Sequence, residues 1–405
     1  MTSDQPAKRL TYIVNRVSAD DSQHYVHIPH LLSHMEQLGW TIDLVSERGG
    51  PGRTEIKGRP VTFLSQEGRW GRLIPMLSHL VKMRLRGGRL TFVRISKSAA
   101  LVSAVAGRVL GWKTVYWLSD VKEDIDKRKR WGRIRFLGMW ILMRLINRLA
   151  TGPETMTAYY RAVYRLPAKK IILLYNDLDT RIALQAMPGR ESGEPTILLV
   201  HRLSPARETV RYLPVLLDAL RVAQFPASLH IVGDGPERAA LERIVSIQQN
   251  SPVTVSFHGA LPHHQLEEYY SKATMFIMPS YREGFPRVII EAMAYGLPIV
   301  STDAGGTADL VGQLQRKYIF NRDDFTGFAR GVVDLLKSPQ LRQQISDENL
   351  THVQRFSTPV VARMYDQTLG EVIGAPASPQ PNGLRDRIHL AILGIVAAST
   401  LFKVE

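Results

Sequence analysis

The hydrophobic residues in the first half of the chain form short apolar runs that alternate with segments of helical periodicity. The runs have the length of strands, and many are followed by Gly or by polar residues. We predict strands over residues 10–14, 41–45, 61–64, 90–95 and 113–118, and helices over residues 22–38, 72–85 and 98–110. Because strands that alternate with helices form parallel sheets covered on both faces, this half is predicted to be an α/β domain.

The second half repeats this alternation after a break. Residues 187–195 are rich in Pro and Gly and indicate a linker. A chain of 405 residues is too long for one ordinary core, so we expect two domains. The predicted parts are a first domain at 1–186, the linker, a second domain at 196–355, a last helix at 356–372 and a flexible segment with an apolar tail at 373–405.

The segment between residues 274 and 306 contains the strongest local pattern. Two strand-like runs flank a helix that begins after Pro286 and ends at Gly296. In such a unit, unpaired backbone N–H groups at the carboxyl edge of the sheet favour phosphate. Glu283 and Glu291 lie about 12 Å of helical rise apart, which is too far to act on one atom. They could instead hold two hydroxyl-bearing groups of one long ligand.

This segment is similar to a known signature. Glu283, Gly284, Phe285, Pro286 and Glu291, with the Ala-Met-Ala that follows, resemble the E-x7-E motif of retaining, nucleotide-sugar-dependent glycosyltransferases of the fourth sequence family. The resemblance implies the α/β GT-B fold, with two Rossmann-like domains facing across a cleft and a C-terminal crossover helix. It also implies that the first Glu lies by the donor sugar, that the second holds the ribose hydroxyls, and that the residues between them line the donor site.

A second match follows the strand at 196–200. The segment from His201 to Arg207, H-R-L-S-P-A-R, resembles the family's G-R-L-x-P-x-K, whose Arg and Lys hold the donor diphosphate. The resemblance gives that role to Arg202 and Arg207, and the second position offers a planar fork in place of lysine. It further implies that the backbone at Gly233, Gly235 and Gly259 approaches the nucleotide.

Several residues depart from the family pattern or fall outside it. Ser119 stands where the family often has a His, so Asp120 is the candidate on the acceptor side; its alternative role is in a loop or a helix cap. His263 and His264 are expected to be surface residues at the start of a helix.

The charge distribution favours an anionic partner. The net charge is +15, and the 22 residues from 127 to 148 contain eight Lys or Arg and no acid. A helical wheel places Arg133, Trp140, Arg144 and Arg148 on one face and Met139, Leu142, Ile146 and Leu149 on the other. A second basic cluster contains Arg69, Trp70, Arg72, Lys82, Arg84 and Arg86. Cations and Trp beside apolar residues suit anionic headgroups, so we expect docking on a membrane surface; the alternative is a solvated helix face.

The two terminal segments and the absence of Cys bear on where the protein is located and on which kinds of site it can contain. Residues 1–10 lack the apolar core of a secretory signal, so the protein is expected to be cytoplasmic, on the cytoplasmic face of the membrane. Residues 388–402 are apolar but shorter than the roughly 20 residues that span a bilayer, which favours an interfacial segment or a packed helix. A chain with 0 Cys has no disulfide, thiol nucleophile or thiolate metal site.

The sequence therefore predicts a retaining glycosyltransferase that uses a UDP- or GDP-sugar. The expected acceptor is a saccharide or a lipid-linked saccharide, in the synthesis of a cell-surface polysaccharide or glycolipid. Neither a metal nor a tightly bound cofactor is expected, and the donor sugar, base and acceptor stay open. One alternative is a nucleotide-sugar epimerase or phosphorylase of the same fold. Another is a basic nucleic-acid-binding protein, although that function would leave the motifs of the second half without a role.

Overall fold

The computed structural model describes residues 8–17, 27–48, 52–56, 58–65, 71, 73–119, 130–178, 193–248, 252–376, 386 and 393–394. They form two compact units. The first contains the described residues up to Tyr175 and again from Val361 onward, and the second contains those of Asn176–Val360. Each unit has its own sheet, so the predicted pair of Rossmann-like α/β domains is confirmed. The predicted linker at 187–195 lies outside the described residues except at 193–195.

The first unit contains an eight-stranded sheet in the order β3-β4-β2-β1-β5-β6-β7-β8. All neighbouring strands are parallel except β3, which is antiparallel to β4. Its strands are β1 (Arg9–Arg16), β2 (Thr41–Arg48), β3 (Gly52–Ile56), β4 (Arg59–Ser65), β5 (Leu90–Arg94), β6 (Lys113–Trp117), β7 (Arg148–Thr151) and β8 (Ile171–Leu173). Its helices are α1 (Ile28–Gln37), α2 (Leu73–Leu85), α3 (Lys97–Leu110), α4 (Arg130–Leu145) and α5 (Glu154–Tyr164).

The basic segment at 127–148 is not one helix to its end, so the wheel prediction is wrong there. The helix α4 stops at Leu145, and Arg148 and Leu149 belong to β7. The reason is a pair of hydrogen bonds with β6: Asn147 N–H donates to the Thr114 carbonyl at 2.9 Å, and Thr114 N–H donates to the side-chain Oδ1 of Asn147 at 2.8 Å. These bonds pull the chain into the sheet. The predicted apolar face within α4 is correct, since Met139 and Leu142 are buried.

The second unit contains a six-stranded parallel sheet in the order β11-β10-β9-β12-β13-β14. Its strands are β9 (Thr196–Val200), β10 (Ala227–Val232), β11 (Val253–Gly259), β12 (Met275–Met278), β13 (Ile299–Thr302) and β14 (Ile319–Phe320). Its helices are α6 (Thr209–Val222), α7 (Arg238–Ile247), α8 (Leu266–Lys272), α9 (Arg287–Ala294), α10 (Thr307–Leu310), α11 (Gln313–Arg316), α12 (Phe325–Lys337) and α13 (Pro339–His352). Because β9, β12 and β13 are parallel neighbours, the loops that follow them meet at one edge.

The last helix, α14 (Thr358–Gly374), begins in the second unit and belongs to the first from Val361 onward. In the first unit, buried Tyr365 packs against Phe92 with ring centroids 5.7 Å apart. Asp366 accepts hydrogen bonds from Lys8 Nζ at 2.6 Å and from Trp40 Nε1 at 2.8 Å. These contacts anchor α14 on the first sheet, as expected of the predicted crossover helix.

The apolar segment at 388–402 was expected to be an interfacial segment or a packed helix. In the part of the chain that the structure describes, no helix combines the length and apolar character needed to cross a bilayer. Most of the apolar segment at 388–402 lies outside the described residues. At its described position, Leu393 packs against the core of the first unit, and Gly394 lies beside Val105 of α3.

Candidate active site

Arg207 and Glu283, predicted from separate motifs, meet in the second unit. Arg207 lies in a 3-10 turn after β9, and Glu283 lies in the loop after β12. Arg207 Nη1 forms an ion pair with Glu283 Oε1 and donates to Ser280 Oγ at 3.1 Å. The Ser280 hydroxyl in turn donates to Glu283 Oε1 at 3.2 Å. Both charged side chains are largely enclosed, with 24% of Arg207 and 10% of Glu283 exposed.

Hydrogen bonds between the loops after β12 and β13 hold this cluster. Ser280 N–H donates to Thr302 Oγ1 at 2.9 Å, and the same hydroxyl donates to the Ser280 carbonyl. Glu283 N–H donates to the carbonyl of Ala304. The acid is therefore fixed by its own backbone as well as by its side chain, and it is presented at the carboxyl edge of adjacent strands.

Two glycines after β10 shape the loop that carries the arginines. Gly233 and Gly235 have φ values of 143° and 155°, and a Cβ at either position would overlap the carbonyl oxygen of His201 or of Leu203. Leu203 N–H donates to the Asp234 carbonyl at 3.0 Å, which closes the two loops together. These glycines thus have a packing role beside the loop after β9, and their contact with a nucleotide stays a prediction. Gly259 joins the same edge, because its carbonyl accepts the Gly233 N–H at 2.8 Å.

Arg202 and His201 are adjacent but have opposite surroundings. Arg202 is exposed and has no hydrogen-bond or ion-pair partner among the described residues. His201 is buried, and its Nε2 lies 2.8 Å from Thr209 Oγ1. Burial, with the nearby charge of Arg207, lowers the pKa of His201 to about 3, so the imidazole is neutral at physiological pH. Arg202 is therefore an exposed cation, whereas His201 supports the loop from inside.

Glu291 is almost completely buried, with 4% of the residue exposed. Its Oε1 lies 3.2 Å from His263 Nε2 and 3.6 Å from Arg287 Nε, and its Oε2 accepts from the Tyr270 hydroxyl at 3.2 Å. Burial alone would raise the pKa of this carboxyl. The hydrogen bonds from His263 and Tyr270 and the charge of Arg287 outweigh burial and lower the pKa. Glu291 is thus a fixed, ionised acceptor rather than a solvated helix residue.

Three partners of Glu291 did not follow from the motifs. His263 was expected at the surface at the start of a helix; it lies in the turn before α8 and is partly exposed, but its imidazole also contacts the buried carboxylate of Glu291. Arg287 precedes Glu291 by one helical turn, and this i,i+4 spacing could have revealed it. His263 and Tyr270 lie 28 and 21 residues from Glu291 in sequence, and only the fold brings them together.

The remaining predicted positions lie in the loop before α9 or outside the described residues. Gly284 leads into α9, Phe285 is buried edge-on against Phe356 with centroids 6.0 Å apart, and Pro286 caps the helix start. Asp120 lies outside the described residues. Its neighbour Ser119 donates to the Gly152 carbonyl at 2.5 Å. Within the described ranges, no group of three or more His, Asp or Glu side chains is arranged to hold a metal ion.

Comparisons with known proteins identify the kind of domain that contains this site. Residues 181–351 match the family model described as glycosyl transferases group 1. The chain is 27% identical over 233 residues to the sulfoquinovosyl transferase of Arabidopsis thaliana, which covers 56% of the chain and 44% of that protein. It is 29% identical over 260 residues to an uncharacterized glycosyltransferase of Haemophilus influenzae, covering 64% of the chain and 70% of the relative. In three other pairings with curated relatives the matched segments span only 24%, 55% and 43% of the relative's length.

The fold also has close counterparts among solved structures. Anabaena HepE in complex with UDP superposes with a TM-score of 0.69 at 17% identity, over 90% of this chain and 100% of that one. This similarity identifies the GT-B fold. Together with the match to residues 181–351, it confirms the resemblance seen in the two motifs. Residues 181–351, which contain the candidate site, therefore form a domain similar to those of the glycosyl transferases group 1 family.

Proposed function

We propose that the protein is a retaining glycosyltransferase that transfers a sugar from a UDP- or GDP-sugar. The observation that carries this proposal is the meeting of Arg207 and Glu283 at the carboxyl edge of β9 and β12, with Ser280 bridging them. Parallel α/β sheets bind ligands at this edge. A cation beside a fixed acid at such an edge suits a ligand that joins a diphosphate to a hydroxyl-rich sugar.

In the proposed reaction, Arg202 and Arg207 stabilise the diphosphate as it leaves. Negative charge grows on that group as the glycosidic bond breaks, so fixed guanidinium groups bind the transition state more tightly than the donor. Backbone N–H groups at the start of α9 add to this stabilisation. Glu283 orients the sugar, and Glu291 holds the ribose hydroxyls.

Retention is proposed because no carboxylate is assigned as nucleophile. Glu283 is paired with Arg207, and Glu291 is enclosed by three partners. The acceptor hydroxyl would then attack from the face that the diphosphate leaves, and the departing phosphate would take its proton. The new bond forms between acceptor oxygen and anomeric carbon as the bond from that carbon to the phosphate oxygen breaks.

The proposed donor class rests on a structural neighbour, and the proposed acceptor class rests on the charge of the first unit. The HepE structure contains UDP, which supports a nucleoside diphosphate donor. A saccharide or lipid-linked acceptor, in cell-surface polysaccharide or glycolipid synthesis, is proposed because the first unit carries a surface suited to anionic lipid. That surface lies where α2, α3 and α4 end. Arg84 Nε donates to the Leu110 carbonyl at 2.9 Å, and Arg108 Nε donates to the Leu145 carbonyl at 3.0 Å.

This helix-end surface combines apolar side chains with cations. The three helices contain no Asp or Glu, and Leu85 is 81% exposed beside Lys82 and Arg86. Val109 and Leu110 of α3 are also exposed there. Such a combination suits the headgroup layer of an anionic membrane, so we place the protein at the cytoplasmic face of a membrane.

A donor screen tests the proposed function. Thermal shift with UDP, GDP and their sugar conjugates should give a higher melting temperature with one nucleotide, because ligands that bind only the folded state stabilise it. Transfer to a saccharide acceptor should then yield a product whose anomeric configuration, read by NMR, matches that of the donor. Inversion would contradict retention. Conversion of the donor to an epimer without an acceptor would favour the epimerase alternative, and no binding of either nucleotide would contradict the function.

A further inference from the structure

The two carboxylate oxygens of Glu291 have partners that differ in burial. Oε2 accepts from Tyr270, which is buried and stacks on Tyr295 with ring centroids 5.3 Å apart. Oε1 faces His263 and Arg287, whose side chains are 36% and 20% exposed. Packing therefore fixes the deep oxygen, whereas the outer oxygen depends on two partly exposed groups. His263 is therefore the more exposed of the two groups that contact this outer oxygen.

A carboxylate held at only one oxygen keeps rotational freedom. The terminal torsion of Glu is broad, so a single bond from Tyr270 does not define where the second oxygen points. The 3.2 Å contact of His263 Nε2 with Oε1 supplies the second fixed point. An ionised carboxylate offers about four acceptor sites. Bonds from His263 and Tyr270 therefore leave capacity for hydroxyl groups of a ligand.

We propose that His263 is a positioning residue for the donor: its bond to Oε1 holds the Glu291 carboxylate in the orientation that accepts the hydroxyls of the nucleotide ribose. This inference rests on the proposed function, because the ribose arrives with the nucleotide-sugar. His263 comes from the turn before α8, Tyr270 from α8 itself and Glu291 from α9. The fold thus assembles the proposed ribose site from three elements. His263 restricts the rotation of the Glu291 carboxylate before the nucleotide binds, so that binding loses less conformational entropy.

Deoxynucleotides provide the test, because they lack the group that Glu291 is proposed to bind. Calorimetry would compare UDP and GDP with their 2′-deoxy and 3′-deoxy forms. Wild type should favour the ribonucleotide by about 10-fold or more, as expected for a hydrogen bond to a charged group. His263→Ala should reduce that preference to about twofold or less, with little change in deoxynucleotide affinity.

Two further variants separate positioning from general damage. His263→Gln keeps an N–H donor and should restore part of the preference. His264→Ala alters the neighbouring exposed imidazole and should keep the preference of wild type. Melting temperatures would show that each variant is folded, and the Gln variant reports on the proposal if the Ala variant does not fold.

The possible results separate this proposal from the function on which it rests. An unchanged preference in His263→Ala would overturn the role of His263 and leave the glycosyltransferase proposal standing. An equal loss for ribonucleotide and deoxynucleotide would also overturn it, because a merely structural residue acts on both. If wild type binds neither UDP nor GDP, the proposed function fails and this inference fails with it.

Discussion

Arg202 and Arg207 come from one loop, yet their different surroundings give different expectations. Arg202 is exposed without a described partner, so Arg202→Ala should change the free energy of unfolding by less than about 0.5 kcal/mol. Arg207 holds Ser280 and Glu283, so Arg207→Ala should lower that free energy by about 1–3 kcal/mol, because an acid is left enclosed without its cation. Both variants should weaken nucleotide binding by about 10-fold or more and abolish transfer.

Chemical denaturation and nucleotide titration would check both statements on the same preparations. Near-normal turnover of Arg202→Ala would contradict its role in holding the diphosphate. Equal losses of stability in the two variants would contradict the difference in their surroundings. Arg211→Ala, at an exposed arginine of α6 whose partner Glu208 lies one turn away, is a matched control that should retain nucleotide affinity.

Lys170 supplies a prediction about pH. Its Nζ donates to the Arg144 carbonyl at 2.9 Å, and burial, followed by the charges of Arg108, Arg144 and Arg148, lowers its pKa to about 8. Between that value and the ordinary 10.5 the unfolded chain binds more protons, so the free energy of unfolding should rise with pH across this window. Lys170→Met should raise stability at pH below about 8 and flatten the rise.

The carbonyl that Lys170 serves keeps a partner in that variant, because Arg108 Nη2 also donates to it at 2.9 Å. Lys169→Met, at the exposed neighbouring lysine, should leave the pH profile unchanged. Denaturation followed from pH 7 to about pH 10 would measure both. A Lys170→Met profile that still rises as in wild type would contradict the assignment.

Single residues also show how far motif reading reaches into the site. The sequence names Glu283, Glu291 and the two arginines as candidates because each lies in a short segment whose spacing carries the signal, and the structure brings Arg207 and Glu283 together. His263 and Tyr270 could not, because their partner is 28 and 21 residues away and no local pattern joins them. What the motif could not supply is the set of side chains that hold a functional group in place.

The loop after β10 packs against the loop after β9 that contains Arg202 and Arg207, so a change in its backbone should affect the whole loop. Gly235→Ala would place a Cβ against the Leu203 carbonyl at a positive φ, so it should cost about 1–3 kcal/mol of stability and displace the loop that bears the arginines. Gly370→Ala lies inside α14 with open space around its Cβ and should be neutral or stabilising by up to about 1 kcal/mol. Denaturation and nucleotide titration would compare the two variants. Unimpaired nucleotide binding by Gly235→Ala would contradict the prediction that the loop after β10 positions the two arginines.

The predicted strands and the strands that were not predicted differ in the interactions that stabilise them. The central strands β1 and β5 are buried apolar runs, so their length and composition mark them directly. The strand β7 has four residues, begins with an arginine and follows a basic helix without a glycine or proline break. It forms because Asn147 exchanges hydrogen bonds with Thr114, a partner 33 residues away. Edge strand β3 is defined only by its antiparallel pairing with β4.

The whole molecule carries a charge of +15, and its arrangement decides what that charge can do. Two basic clusters were predicted separately, at 69–86 and 127–148. The structure joins their described parts, because α2 and α4 are both tied to α3 through arginine bonds to carbonyls at the helix ends. A surface that gathers cations around exposed leucine attracts an anionic bilayer more strongly than scattered charges do. Nucleic acid is also an anionic partner, so the test measures binding to vesicles of defined composition directly.

Charge reversal at the helix-end surface should therefore reduce membrane binding selectively. Lys82→Glu with Arg86→Glu removes two exposed cations, each contributing about 1 kcal/mol, so partitioning to phosphatidylcholine vesicles that contain phosphatidylglycerol should fall about 30-fold or more. Arg330→Glu with Lys337→Glu makes the same change of net charge on exposed positions of α12 and should retain most of the binding. Vesicle sedimentation at fixed salt would measure both. Equal losses would show that net charge alone acts, and an absence of preference for anionic vesicles in wild type would contradict docking through this surface.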